Sequence, residues 1–126
     1  MQEENAIGSA ILDAAMTVHS ALGPGLLESA YENCLAHELE RAGVQVRRQV
    51  LLPLRYREIT VDTGYRIDLL VDEKVVVELK AIGTVLPVRS AQLLSYLRLG
   101  DYRLGYLLNF HVERMKNGIR RIVNAL

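Results

Sequence analysis

YRIDLLVDEKVVVELKA, residues 65–81, decides how this chain folds. Two apolar runs, residues 67–71 and 75–79, flank the polar break Asp72-Glu73-Lys74, the pattern of a β-hairpin. Asp68 interrupts the first run and Glu78 and Lys80 the second. VVVELKA nevertheless has too little polar alternation for a half-exposed edge, and it reads as a strand covered on both faces. Side chains alternate across a strand, so Glu78 and Lys80 share one face while Val77, Leu79 and Ala81 take the other. On the partner run Arg66, Asp68 and Leu70 share a face. The loop then determines whether the acids meet. An odd loop of Asp72, Glu73 and Lys74 sets Asp68 opposite Glu78 with Cβ atoms roughly 5 Å apart, whereas a two-residue loop sends the carboxylates to opposite faces.

Two carboxylates that close repel each other, and both are costly inside a covered sheet. A cation resolves the conflict. Mg²⁺ prefers a few carboxylate oxygens, keeps several waters and accepts phosphate oxygens as further ligands. Lys80, two positions from Glu78, is placed to hold an attacking water or to neutralise charge building on phosphorus in the transition state. The constellation fits metal-assisted hydrolysis of a phosphodiester. The same spacing also suits a plain salt bridge of Lys80 with Glu78 or Asp68.

Outward from the hairpin, residues 5–21 place Ile7, Ile11, Ala14, Ala15 and Val18 at helical spacing. LGPG, residues 22–25, stops that helix, because Pro24 disfavours helical backbone at Gly23 and Gly25 is free to take the turn geometry a restart needs. A second helix is expected from Leu26 to Arg41, ended by Gly43 as a left-handed cap. From Val44 to Leu54 the pattern alternates as in a strand, with a turn near Arg57 and Glu58 before the hairpin. Residues 86–100 return to helical spacing, with Pro87 near the start and Gly100 as the stop. RLGYLLNF, residues 103–110, reads as another buried strand, and the tail, residues 118–126, as a short edge strand or a frayed helix. Two N-terminal helices, three strands, a helix, a strand and a tail predict an α/β (α+β) domain, one mixed sheet with helices packed on it.

The chain has 126 residues, half of them hydrophobic, which suits one domain with a single core. Lys plus Arg and Asp plus Glu are 15 each, so bulk electrostatics does not drive nucleic-acid binding and any such contact is local. The lone Cys34 excludes an intramolecular disulfide and reads as a small buried apolar residue in a reducing compartment. Neither a signal-peptide pattern nor a run of roughly 18 apolar residues is present, and a soluble, cytoplasmic protein without membrane partners is the expectation. His19, His37 and His111 have no ligand spacing, and His19 reads as structural. GPG lacks the spacing and the Lys of a phosphate loop. The Arg pairs at 47–48 and 120–121 are candidates to rim a nucleic-acid groove, though such pairs more often form solvated surface.

Asp68, followed ten residues on by Glu78-Leu79-Lys80, resembles the Asp and Glu-x-Lys signature of the PD-(D/E)XK nuclease superfamily. GLLESAY, with Gly25, Glu28 and Tyr31, is similar to the pattern that names the GxxExxY protein family within it. The likeness extends over LGPGLLESAYE, YRIDLLV, VVVELKA, AQLLSYL and LLNF, from about Ile7 to Val123. It departs at Ile67, where the superfamily's name expects Pro.

The resemblance implies a restriction-endonuclease-like core, a mixed four-stranded sheet flanked by helices, and divalent-metal-dependent cleavage of nucleic acid. Mg²⁺ or Mn²⁺ is the implied cofactor, with DNA favoured over RNA. Asp68, Glu78 and Glu28 are the implied metal ligands, and Lys80 assists the water. Gln92 and Tyr96 match a Gln-x-x-x-Tyr pattern seen on the helix after the catalytic strand in relatives of recombination nucleases. Gly25 and Tyr31 belong to the structural motif, while Arg89 and Arg66 are candidates for phosphate. A domain this small offers little surface for gripping a duplex, so a homodimer is plausible. The competing class is a binding or assembly module that keeps the fold without cutting, and hydrolysis of a small phosphoester is a third, weaker possibility.

Overall fold

The structure, a computed structural model, describes residues 1–62 and 64–125. Helix α1 spans Gln2–Leu22 and α2 Glu28–Arg41. Strands β1 (Val46–Leu51), β2 (Leu54–Tyr56), β3 (Ile59–Val61), β4 (Arg66–Val71) and β5 (Val75–Lys80) follow. Helix α3 (Pro87–Gly100) leads into β6 (Leu104–Asn109), a 3-10 turn (Met115–Gly118) and β7 (Ile119–Val123). The principal sheet runs β1-β4-β5-β6-β7, and β2 and β3 form a separate two-stranded ribbon. All pairings in the principal sheet are antiparallel except β5 with β6, which are parallel because α3 carries the chain across between them.

The mixed sheet flanked by helices agrees with the expectation, with one more strand than the four implied. The tail is that strand: Ile119 packs toward the α1 and α2 layer and Ile122 toward the α3 layer, and β7 closes the edge beside β6. Its last residue, Leu126, lies outside the described residues. The stretch read as one strand from Val44 to Leu54 divides at Leu52-Pro53, since Pro53 has no N–H for a ladder. The following segment then folds back on itself around Arg57, whose φ of 52° makes the tight reversal.

Helices cover both faces of the sheet. On one side Ile11, Ala15 and Val18 of α1 and Tyr31, Leu35 and Leu39 of α2 pack over Leu69, Val71, Val75, Val77 and Leu79. On the other, Leu93, Tyr96 and Leu97 of α3 cover Ile67, Leu70, Val76 and Leu107. β5 is central and its residues Val75 to Leu79 are all buried, as its unbroken apolar run requires.

Gly25 lies in the turn before α2, as expected, with φ of 102°, and that helix starts at Glu28 rather than Leu26. Gly100 does not cap α3; Asp101 takes the left-handed position, with φ of 60°. Gly100 is needed for space, because a Cβ there would stand 2.2 Å from the Tyr102 ring. Gly43, with φ of 79°, does follow α2 in the left-handed conformation expected.

Candidate active site

The hairpin loop is the odd one. Leu69 pairs with Val77, Leu70 with Val76 and Val71 with Val75, which leaves Asp72, Glu73 and Lys74 in the turn and sets Asp68 opposite Glu78 at the next rung. At that rung side chains replace backbone pairing. The Asp68 N–H donates to Glu78 Oε1 at 3.2 Å, and the Leu79 N–H donates to Asp68 Oδ2 at 2.9 Å. Each acid therefore accepts a backbone hydrogen from the opposite strand, and the two carboxylates are brought together at the end of the ladder.

Glu78 retains only 9% of its surface, and burial pushes its carboxyl up to about 9, with the charge of Asp68 as the next cause. The Asp68 N–H and the Lys80 charge act in the opposite direction but more weakly. Asp68 is half-buried and Lys80 half-buried on the same strand as Glu78. The simple salt bridge is not formed: Lys80 takes part in none of the ion pairs among the described residues.

Glu28 opens α2 at the solvent-exposed first turn. Partial burial of its carboxyl raises its pKa, the charge of Asp68 adds to this and Lys80 opposes it, so the residue feels both arms of the hairpin. Among the described residues no three His, Cys, Asp or Glu side chains converge as a ready-made metal cage. The close donor set is the pair Asp68 and Glu78. Two carboxylates, with waters and phosphate oxygens in the remaining positions, are a complement that suits Mg²⁺. The raised pKa of Glu78 fits the same chemistry, since a bound cation would remove the cost of its ionisation.

On α3, Gln92 Nε2 donates to the Tyr96 hydroxyl at 3.1 Å, and Arg89 reaches Gln92 Oε1 at 3.5 Å. Tyr96 is buried; desolvation raises its pKa and the charge of Glu78 raises it further, which puts α3 within electrostatic reach of the acidic pair. Arg89 and Arg66 are exposed, and Arg66 stands at the start of β4 opposite Leu51.

Tyr31 explains the spacing of its motif. Its ring is fully buried and stacks on Phe110 with centroids 4.6 Å apart. Its hydroxyl donates to the Gly23 carbonyl at 2.6 Å and accepts the Leu26 N–H at 3.1 Å. The turn that launches Glu28 is thus tied to the core by one phenol. Tyr31→Phe removes both of these part-buried hydrogen bonds, and we expect a loss of about 0.5–1.5 kcal/mol of stability in urea unfolding. His19, buried, donates from Nε2 to the Val112 carbonyl at 2.7 Å, the structural role its position suggested.

The Arg pairs do not rim a common groove. They lie on the two outer strands, β1 and β7. Arg47 pairs with Glu73 at 2.7 Å and Arg48 with Glu32 at 3.0 Å, while Arg121 reaches Asn5 and Arg120 reaches Ser90.

Sequence reasoning missed Glu32 and Gln49. Glu32 is buried one turn beyond Glu28, and Gln49 of β1 links it to Asp68. Spacing offered one usable signal, the i,i+4 relation of Glu28 and Glu32 on α2.

Residues 5–122, nearly the whole chain, match the family profile of the PD-(D/E)XK nuclease superfamily. The chain belongs to that superfamily. Its mixed sheet and flanking helices have the corresponding restriction-endonuclease-like form. No curated protein and no solved structure matches it. No helix among the described residues is long and apolar enough to cross a membrane.

Proposed function

We propose that the protein is a divalent-metal-dependent nuclease that hydrolyses phosphodiester bonds in nucleic acid, with DNA the favoured substrate. The observation that carries this reading is the convergence of Asp68 and Glu78 at the end of the β4–β5 ladder, with Lys80 on the same strand as Glu78 and in no ion pair among the described residues.

Asp68 and Glu78 hold Mg²⁺ or Mn²⁺, and Glu28 completes the shell directly or through water. The bound ion would supply Lewis-acid polarisation of a phosphate oxygen and a more acidic water. Lys80 brings a positive amine to the place where negative charge gathers during cleavage. Gln92, steadied by Tyr96, and the exposed Arg89 and Arg66 orient the phosphate backbone.

Incubation with single-stranded, duplex and branched DNA and with RNA, with and without Mn²⁺, tests this directly. Metal-dependent products are expected, and Lys80→Ala is expected to lower the rate about 10²-fold while leaving Mn²⁺ binding in place. Absence of cleavage on every substrate despite a Mn²⁺-induced rise in Tm would favour the second reading, a nucleic-acid-binding or assembly module. That reading has two observations in its support: without a cation, burial and the Asp68 charge favour the protonated form of Glu78, and among the described residues no three acidic side chains converge.

A further inference from the structure

Among the described non-glycine residues with positive φ, Arg57, Asp72 and Glu73 sit in turns and Asp101 caps a helix. Gln49 alone adopts this conformation inside a strand, with φ of 52°. The register of β1 on β4, with Arg48 opposite Leu69 and Val50 opposite Ile67, places Gln49 opposite Asp68. The strained residue and the candidate metal ligand are therefore directly across from each other.

The backbone reversal has visible effects on both sides. Val46 packs with the α1 and α2 layer, whereas Val50 and Leu52 pack with the α3 layer, although strict alternation would keep all three on one face. The carboxamide is left between two acids. Its Nε2 donates to Glu32 Oε1 at 2.8 Å and to Asp68 Oδ1 at 3.3 Å. Glu32 is buried and its other oxygen is held by Arg48 at 3.0 Å, so the amide hangs from a fixed anchor. Asp68 Oδ2 is held from the other side by the Leu79 N–H.

We propose that Gln49 is a positioning residue: with the Leu79 amide, it fixes the plane of the Asp68 carboxylate, which would thereby be held oriented for a divalent cation. This rests on the metal-site reading above. A left-handed residue within a strand persists only when its surroundings over-determine it, and such strain collects at functional sites. A carboxamide suits the place because its nitrogen can donate to both acids, where a third carboxylate would repel them.

Gln49→Gly separates this role from a merely structural one, because it relieves the backbone strain and removes the amide together. Calorimetric titration with Mn²⁺ alone is expected to show affinity weakened about 10–100-fold, while the midpoint of urea unfolding without metal stays level or rises. Gln49→Asn, which tolerates the left-handed backbone but withdraws the amide by one carbon, is expected to fold and to weaken Mn²⁺ likewise. Unchanged Mn²⁺ affinity in both variants would overturn the assignment while leaving the metal site standing. Loss of stability in both, with Mn²⁺ affinity unchanged in whatever remains folded, would make Gln49 a structural residue. Failure of the wild type itself to bind Mn²⁺ would remove the metal-site reading and this one with it.

Discussion

Asp68→Asn is expected to lower cleavage at least about 10³-fold and, in the metal-free protein above about pH 9, where Glu78 ionises, to raise stability by about 1 kcal/mol. The two effects have one origin. Asp68 faces Glu78 at a rung where Glu78 is nearly buried, and the charge of Asp68 is the second cause of the raised Glu78 pKa. An amide in its place removes that charge while keeping a carbonyl oxygen for the Leu79 N–H, which Asp68 accepts at 2.9 Å. The like-charge conflict disappears, but so does one of the two anionic donors for the cation. Urea unfolding and a Mn²⁺-dependent cleavage assay on the same preparation check both halves. A variant that is less stable than the wild type and still cuts at the wild-type rate would place the acidic pair outside the chemistry. Gains in stability at the cost of activity are common where like charges are held together for function.

The second large effect is on pH. In the unfolded chain Glu78 ionises near the ordinary carboxyl value of 4.5, whereas in the folded protein it does so at about 9. Between those values the folded state holds a proton that the unfolded state has lost. The contribution to stability is therefore largest below the lower pKa and falls as pH rises through the window, by up to about 1.4 kcal/mol per unit. Comparing wild type with Glu78→Gln in urea unfolding from about pH 5 to about pH 9 reads this slope, because only the wild type carries the Glu78 carboxyl. Mg²⁺ should act in the opposite sense. It must displace the Glu78 proton, so its affinity and its stabilisation of the fold increase with pH, and cleavage should rise over the same range. Parallel pH profiles for wild type and Glu78→Gln, with or without Mg²⁺, would show that this carboxyl titrates normally and binds nothing.

The hairpin was readable because a period of two is unforgiving. Once Asp72, Glu73 and Lys74 are counted as an odd loop, the faces of Asp68 and Glu78 follow, and the structure has that register. The covered central strand was readable from the same stretch, and the short edge strand in the tail was one of the two readings its residues allowed. What stayed hidden depends on backbone conformation at single residues. A Gln in an alternating strand carries no mark of a positive φ, so the sequence does not single out Gln49. The β2–β3 ribbon was half visible: the turn at Arg57 and Glu58 could be seen, but three-residue strands are too short for periodicity to register. Glu32 was hidden because its partners come from β1, seventeen positions further along for Gln49.

The placement of the four arginines at 47–48 and 120–121 bears on how copies of the chain tolerate one another. With 15 basic and 15 acidic residues the molecule has no overall charge at neutral pH and gains no long-range repulsion against its neighbours. Open strand margins are the usual route to polymerisation, and here each margin is studded with guanidinium groups that a docking strand would have to strip of water. Colloidal protection that net charge does not provide is thus concentrated where accretion would begin.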